Sequence, residues 1–297
     1  MTMNENEFIL SDRIQKIRQM IQRYGERSFY ISFSGGKDSV VLSHLFDEAL
    51  PGNKIPRVFF NTGIEFTMMV SFVRGLQAND ERFQIIEPSV SIKNMLEIEG
   101  YPFKSKEHSK QVRQYQRFMR HNTTTYHYCH GIGPHSRKFH SPLSLKCQFS
   151  PDYSLKISEK CCDRLKKDIG FRYMKQTGRS WAVTGIMASE GGVRERAGCI
   201  ITNTKENKFH PLFPLSTQWI DWYIQDRGLR LCDLYYPPFN FQRTGCKGCP
   251  YNIQLQTELD LLKEYLPNEY RQCEIIWEPV YSEYRRLGYR LRENGPD

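Results

Sequence analysis

The sequence has no apolar stretch long enough to span a bilayer, and its 297 residues show no internal repeat and no low-complexity segment. It also has no secretory leader, and its nine cysteines are an odd number. We therefore expect a cytoplasmic protein in a reducing environment, with no membrane partner.

The Walker loop of kinases and GTPases is missing as well. That motif needs a glycine five residues before its Gly-Lys pair and a serine or threonine directly after the pair. In this chain Ile31 and Asp38 occupy these two positions. Ordinary kinase or GTPase chemistry is therefore disfavoured.

What the sequence does have is enough apolar content for one large α/β domain with appendages, and an excess of positive charge. Hydrophobic residues make up 39% of the chain, aromatic residues 13%, and the net charge is +9. The basic residues recur at 104–106, 113–120, 166–167 and 285–292. Two interpretations are open: the charge attracts a polyanion such as nucleic acid, or it belongs to solvated helix faces and attracts a small anionic nucleotide.

The segment Ser-Phe-Ser-Gly-Gly-Lys-Asp-Ser at 32–39 is the most informative part of the chain. It follows a predicted strand and opens a predicted helix. Its glycines let the backbone approach an anion closely, and the first amides of the helix present unpaired N–H groups at the positive end of the helix dipole. The local pattern therefore predicts a phosphate-binding loop.

Strand and helix patterns alternate along much of the chain, after a leading helix that Ser11 and Asp12 can cap. Strands are predicted at 28–33, 57–60, 84–87 and 181–186, and helices at 39–50, 66–77, 91–98 and 157–168. The alternation predicts an α/β fold, with a Rossmann-like parallel sheet covered by helices on both faces. Ligands of such sheets bind beyond the carboxyl ends of the strands, where 34–39, 61–65 and 185–190 lie.

Two pairs of cysteines stand out from the rest. Cys161 and Cys162 are adjacent, and Cys246 and Cys249 flank Lys-Gly in a predicted turn. Four thiolates can close one site for soft metals, which suits zinc or an iron-sulfur cluster. Adjacent thiolates chelate a single zinc only with strain, whereas a cubane offers each sulfur its own iron. We therefore favour a 4Fe-4S cluster over zinc and over free or redox-active thiols.

The phosphate loop resembles that of the PP-loop ATP pyrophosphatase superfamily, where it cradles a pyrophosphate and leaves the α-phosphate open to attack. The adjacent cysteines, the later Cys-x-x-Cys and the segments 59–66, 184–196 and 208–226 resemble, in order, the adenylylsulfate and phosphoadenylylsulfate (APS and PAPS) reductase family. The resemblance covers about residues 25–255 and implies a PP-loop fold. A loop-rich insertion and C-terminal helices would complete it.

The resemblance also implies a site for ATP, PAPS or APS. The residues that would bind the nucleotide are Ser32, Ser34, Gly35, Gly36, Lys37, Asp38, Ser39, Asn61, Thr62, Gly63, Glu65 and Gly185. Lys37 would neutralise charge on the leaving pyrophosphate, and Asp38 would position Mg2+ or cap the helix. Arg194 and Arg196 would contact phosphate or sulfate oxygens, the alternative being surface ion pairs with Glu190 or Glu195.

One departure from the family concerns the reaction. Its reductases carry a nucleophilic cysteine in a C-terminal tail, whereas residues 289–297 contain none and the surroundings of Cys273 predict a helix. Paralogues that keep the loop and a cluster insert sulfur into nucleic acid in an ATP-dependent reaction. We therefore favour adenylation with sulfur transfer to a nucleic acid or another acceptor. The alternatives are a sulfonucleotide reductase that releases sulfite and a nucleotide-binding subunit that needs a partner or sulfur-donor protein.

Residues 105–150 interrupt the alternation, with a basic helical run to Arg120 and then a loop. The loop carries five of the eight histidines, with Cys129 among them: His121, His127, His130, His135 and His140. We favour a substrate-facing loop over a plain surface excursion and over a second metal site. The predicted domains are a nucleotide-binding α/β domain at 1–104 and 151–255, this insertion, and a C-terminal helical segment at 256–297.

Overall fold

The computed structural model describes residues 5–133, 137, 139–191, 195, 198–202 and 206–292. The chain divides into two compact units. The first, called the sheet unit here, comprises Met1–Asn61, Thr67–Pro88 and Asp168–Thr244. The second, the helical unit, comprises Thr62–Phe66, Ser89–Lys167 and Gly245–Asp297. The predicted insertion and C-terminal segment both fall in the helical unit, and so do residues 151–167.

The sheet unit is built on six short strands. In chain order they are β1 (Phe29–Ser32), β2 (Arg57–Phe60), β3 (Phe83–Ile86), β4 (Trp181–Val183), β5 (Ile200–Ile201) and β6 (Asn207–Phe209). Their order in the sheet is β3-β2-β1-β4-β6-β5. All neighbours pair in parallel except β5 and β6, which are antiparallel. The carboxyl ends of β2, β1 and β4 therefore lie side by side at one edge.

Helices cover both faces of this sheet. They are α1 (Glu5–Tyr24), α2 (Lys37–Ala49), α3 (Thr67–Asn79), α7 (Asp168–Thr177) and α8 (Thr217–Asp226). Strand side chains that point to one face, such as Phe29 and Ile31, pack with α1, α2 and α8 in the larger core cluster. Those that point to the other, such as Tyr30 and Val58, pack with Tyr173 on α7. The predicted Rossmann-like fold is confirmed.

The helical unit contains the remaining described helices. They are α4 (Ile92–Glu99), α5 (Lys106–Phe118), α6 (Thr123–His130), α9 (Leu255–Tyr265) and α10 (Pro267–Arg286), with a 3-10 helix at Leu143–Phe149 and a π-helical segment at Asp163–Lys167. The spacing of six residues predicts packing helices here, and five of the six are buried: Leu259, Leu262, Trp277, Val280 and Tyr284. The sixth, Tyr265, is 44% exposed. No helix among the described residues combines the length and the apolarity needed to cross a membrane.

The leading helix does not begin where the sequence pattern placed it. Ser11 and Asp12 lie inside α1, which begins at Glu5 with two acidic residues in its first turn. Carboxylates near a helix N-terminus interact favourably with its dipole, so the helix extends past the predicted cap. The predicted helix at 157–168 is also displaced: regular helix there runs over Asp168–Thr177, directly after the π-helical segment.

Three of the described elements were missed altogether: one helix and two short strands. The predicted loop after Arg120 contains α6, whose first turn is capped by Asn122 through a hydrogen bond from the Thr125 amide. A run of threonine, tyrosine and histidine has modest helix propensity, which is why the pattern favours a loop. The antiparallel pair β5–β6 was also missed because its strands have only two and three residues.

Candidate functional site: a phosphate loop and a cysteine cluster

The predicted phosphate loop joins the carboxyl end of β1 to the first turn of α2. Gly35 has a φ of +75°, which L side chains rarely adopt, and a Cβ there would collide with the Met69 sulfur. Gly36 is the N-cap of α2 and supplies no side-chain cap to the helix amides. The thirteen-residue helix therefore presents its positive end beside two residues, Gly35 and Gly36, that have no Cβ atom.

Hydroxyl groups hold this turn in shape. Ser39 Oγ donates to the Gly36 carbonyl at 2.8 Å and accepts from the Ser34 amide at 3.2 Å. The Gly36 amide donates to Ser34 Oγ at 3.3 Å. Ser34, Gly36 and Ser39 thus form one hydrogen-bonded turn, with Ser32 at the end of β1.

Two residues that the sequence did not single out also support the turn. Tyr235 accepts a hydrogen bond from the Lys37 amide at 3.1 Å, and its hydroxyl lies 2.9 Å from Thr244 Oγ1. A Cβ at Gly36 would lie 3.1 Å from the Tyr235 oxygen, so glycine is needed for this approach. Tyr235 is about 200 residues from the motif, and no local pattern connects the two.

The Lys37 ammonium is held by a carboxylate within the sheet unit. Its Nζ lies 3.2 Å from Asp221 Oδ1 on α8, and the side chains of Lys37 and Asp221 are 16% and 54% exposed. A pair of this exposure is screened by water and exchanges readily. Lys37 is thus close to the turn, on a partner that a phosphate can displace.

The carboxyl end of β4 meets the same turn. A Cβ at Gly185 would lie 3.2 Å from both the Cβ and the carbonyl oxygen of Asp38, so the absent side chain permits this packing. One residue earlier, Thr184 Oγ1 lies 2.7 Å from His210 Nδ1, at the carboxyl end of β6. Burial lowers the pKa of His210 to about 4, so this imidazole is neutral at physiological pH.

The other residues predicted to bind nucleotide have different surroundings. Asn61 follows β2 and donates to Glu87 at 3.1 Å. Thr62 is buried in the helical unit, where its amide and its hydroxyl both donate to Glu65, at 2.7 and 2.8 Å. Gly63 lies in the same turn with a φ of +84°. Arg194 and Arg196 lie outside the described residues.

The four predicted cysteine ligands all belong to the helical unit, and none forms a disulfide. Cys161 and Cys162 begin the helical segment just before the π-helix, with their sulfurs 3.9 Å apart. Cys161 is 6% exposed, and the other three are partly buried. The pKa of Cys161 is raised by its hydrogen bond to Cys162, by burial, and by the charges of Cys246 and Cys249. The two pairs are therefore close enough to interact electrostatically.

Positive charge accompanies these thiols. The pKa of Cys162 is lowered, first by the hydrogen bond from Cys161 and then by Lys106 and Lys166. Conversely, the charge of Cys246 raises the pKa of Lys166, whose ammonium lies 3.4 Å from Glu65. Thiolate ligands must be deprotonated, and nearby ammonium groups favour that state. Sequence reasoning counted Lys166 only as part of a basic cluster, although its place four residues after Cys162 was a usable signal.

Helix α10 braces the turn between Cys246 and Cys249. Three aromatic side chains of α10 donate to consecutive parts of its backbone: Trp277 to the Lys247 carbonyl at 3.1 Å, Tyr281 to the Gly248 carbonyl at 2.5 Å and Tyr284 to the Pro250 carbonyl at 2.8 Å. Beneath the turn, a Cβ at Gly248 would lie 2.8 Å from Cys273 Sγ, which is fully buried. Cys273 is thus a packing residue.

The donor set fits a thiolate-ligated group in its chemistry, since four reduced cysteines interact within one unit. In the part of the chain that the structure describes, no group of three or more His, Cys, Asp or Glu side chains is arranged to hold a single metal ion. The described histidines of the predicted insertion likewise form no such group. His121 instead packs its ring against Tyr115, 4.8 Å away, and against Phe149, 6.0 Å away. His135 lies outside the described residues.

Comparison with known proteins gives a family match. The family profile described as phosphoadenosine phosphosulfate reductase domain matches residues 28–252. No curated protein matches the chain in sequence.

Solved structures give more distant similarities. A phosphoadenylyl-sulfate reductase from Candida auris is 12% identical with a TM-score of 0.45, covering 83% of this chain and 97% of that one. An FMN adenylyltransferase from Candida glabrata is 12% identical with a TM-score of 0.45, covering 78% and 58%. An NH3-dependent NAD synthetase from Campylobacter jejuni is 13% identical with a TM-score of 0.42, covering 99% and 98%.

Proposed function

Because the chain belongs to the phosphoadenosine phosphosulfate reductase domain family, we propose that it is an adenylating enzyme of sulfur metabolism. It binds ATP at the phosphate loop, releases pyrophosphate, and transfers sulfur to a nucleic acid or another acceptor. The observation that supports this proposal is the turn at 34–39, where two glycines precede the N-terminus of α2 and, among the described residues, the Lys37 ammonium is paired only with the half-exposed Asp221.

Each residue of the turn has a role in that reaction. The backbone of Gly35 and Gly36 and the hydroxyls of Ser34 and Ser39 cradle the β- and γ-phosphates. Lys37 leaves Asp221 and neutralises the charge that develops on pyrophosphate when an acceptor oxygen attacks the α-phosphate. Asp38 positions Mg2+, and Asn61 and Gly185 bind the nucleotide in the sheet unit. Arg194 and Arg196 contact phosphate oxygens.

Cys161, Cys162, Cys246 and Cys249 hold a 4Fe-4S cluster in this proposal, with zinc as the alternative. A bound cluster would supply iron that can hold or activate sulfur. The chain's own contribution is to lower the pKa of Cys162 through its hydrogen bond from Cys161 and through Lys106 and Lys166, and to fix the Cys246–Cys249 turn through α10. A sulfonucleotide reductase needs a mobile nucleophilic cysteine, and Cys273 is fully buried inside α10.

The test is an anaerobic assay of the iron-loaded protein with a single-stranded nucleic acid as acceptor, sulfide as sulfur donor and a dithiol as reductant. ATP, PAPS and APS are supplied in parallel, and pyrophosphate, AMP and sulfite are all measured. We expect pyrophosphate and AMP from ATP, and a decrease of about 100-fold in their rate for Lys37→Ala, as for removal of one preorganised charge-stabilising group. Lys175→Ala is the matched control, because this exposed lysine on α7 lies outside the turn. Sulfite release from PAPS or APS would overturn the proposal in favour of a reductase. An unchanged rate in Lys37→Ala would overturn the assignment of the loop.

A further inference from the structure

The helical unit contains a cleft of about 470 Å³ that belongs to neither site described above. It lies between the end of α4, the second half of α5 and the segment 150–157. Pockets that hold small organic ligands have volumes of about 300–1,000 Å³, so the cleft has room for one nucleotide unit.

The charge of the lining is positive. The lining has four charged side chains: Arg113, Arg117 and Lys156 are cationic and Glu99 is acidic. Arg113 forms a bidentate pair with Glu159 at 2.7 and 2.8 Å, and Glu99 pairs with Arg164 at 2.6 Å. Among the residues that the structure describes, no carboxylate pairs with the two remaining cations, Arg117 and Lys156. Lys156 donates only to the carbonyl of Ile98. The cleft therefore offers a guanidinium and an ammonium to an anion.

The uncharged lining combines apolar side chains, among them Ile98, Met119 and Ile157, with the Tyr153 ring and the polar Gln116, Ser150 and Ser154. Ile98 and Met119 are 66% and 56% exposed, and Ile157 is buried behind them. The Tyr153 ring is fixed because its hydroxyl accepts a hydrogen bond from Gln148 at 3.0 Å. An aromatic ring with a thioether and a branched aliphatic chain is a suitable surface for stacking a nucleobase. Arg117 can form the forked contact that phosphate oxygens favour.

We propose that this cleft binds one nucleotide unit of a single-stranded nucleic acid, with its phosphate at Arg117 and Lys156 and its base against Met119 and Tyr153. The inference rests on the proposed function in one respect, since it identifies the strand as the sulfur acceptor. The ion pairs support that link within the helical unit: Glu159 and Arg164, which anchor to the cleft residues Arg113 and Glu99, lie two residues before Cys161 and two after Cys162.

The experiment measures binding by fluorescence anisotropy, with labelled single-stranded RNA and DNA 12-mers in one arm and free AMP, CMP, GMP and UMP as competitors in the other. The first variant, Arg117→Gln with Lys156→Gln, is compared with Arg271→Gln with Lys263→Gln, which removes the same charge from exposed sites on α10 and α9. We expect the cleft variant to raise the Kd about tenfold and to lower the salt slope by about 1 to 2, and the control to have little effect.

A second pair of variants needs no change in positive charge. Ile98→Glu places a carboxylate at the mouth of the cleft, and Ile275→Glu places one on α10; the two isoleucines are 66% and 68% exposed, so neither change disturbs the core. Loss of strand binding in Ile98→Glu alone supports the proposal. Equal strand binding by Ile98→Glu and Ile275→Glu overturns it, and so does the absence of strand binding by the unaltered protein.

Pyrophosphate release from ATP is measured in the same preparations with the strands present, because the strand is the proposed acceptor, and this separates the two hypotheses. Strand binding that depends on the cleft, in a protein that releases no pyrophosphate, would sink the proposed function but keep the site. Pyrophosphate release with cleft-independent strand binding would do the reverse.

Discussion

The phosphate loop and the cysteine cluster are built in opposite ways. The loop takes its binding groups from eight consecutive residues, 32–39, and most of these groups are backbone amides or short hydroxyls. The cluster takes four identical side chains from two segments that are separated by 83 residues. A backbone-made site depends on local conformation, whereas a side-chain-made site depends on the tertiary structure that joins its segments.

The two regions are nevertheless stabilised by the same device. In each, a turn at a glycine is held by hydroxyl or indole donors and acceptors from a distant element. Tyr235 and Thr244 support the turn of the phosphate loop, and Trp277, Tyr281 and Tyr284 support the Cys246–Cys249 turn. Each turn is therefore held in its conformation by side chains from elsewhere in the same unit. Preorganisation of this kind reduces the conformational entropy that a site loses when a ligand binds.

The substitution Cys246→Ser should have the largest effect, and it should affect only one of the two regions. Because the cluster depends on side chains, we expect loss of nearly all bound iron after anaerobic reconstitution with iron and sulfide, and loss of the brown colour. Because the phosphate loop depends on its own backbone, ATP binding to the sheet unit should be unchanged. Iron and zinc content, the visible spectrum and the Kd of ATP are measured on one preparation.

Cys199→Ser is the matched control, since Cys199 is likewise a partly buried free thiol but belongs to the sheet unit. Iron content that stays at the wild-type level in Cys246→Ser would remove this cysteine from the ligand set. Zinc in place of iron in the wild-type protein, and its loss in the variant, would favour the alternative metal.

A smaller effect, on the free energy of unfolding, is expected from protonation of two buried histidines that lie in different units. His108 in the helical unit is fully buried between Tyr128 and Gln148, and His210 is fully buried in the sheet unit. Burial lowers the pKa of each to about 4, below the value of about 6.5 in an unfolded chain. The unfolded state then binds more protons between these pH values, so the free energy of unfolding falls as the pH drops from about 6.5 to about 4.

We expect His108→Gln and His210→Gln each to remove part of this dependence, by at most about 3 kcal/mol over the whole window. The measurement is urea denaturation at several pH values, followed by tryptophan fluorescence and by circular dichroism. A pH profile that neither substitution flattens would show that other groups dominate acid stability.

Local and distant contributions explain which parts of the molecule the sequence predicts. β1, the glycine turn and α2 follow from a contiguous pattern, and their bounds are close to those expected. Tyr235 and Asp221 contact Lys37 only through the tertiary fold, and no periodicity near residue 37 predicts them. Helical spacing predicts Trp277 and Tyr284 of α10 as packing residues but not Tyr281, and a buried pattern does not reveal which carbonyl a tyrosine or tryptophan reaches.

The smallest predicted effect concerns the ion pair between Lys37 and Asp221 beside the phosphate loop. Asp221 holds Lys37 Nζ at 3.2 Å, so a bound phosphate must compete with this carboxylate. Asp221→Asn should therefore tighten ATP binding, and because exposed ion pairs are worth about 0.2–1 kcal/mol the gain should not exceed about fivefold. Calorimetric titration with ATP measures it, and Asp226→Asn, on the same helix but paired with Arg227, controls for the general loss of negative charge. Weaker binding in Asp221→Asn would reverse the role of this carboxylate: it would then hold the lysine in the position that the phosphate requires, and the cationic part of the site would depend on tertiary structure as strongly as the cysteines do.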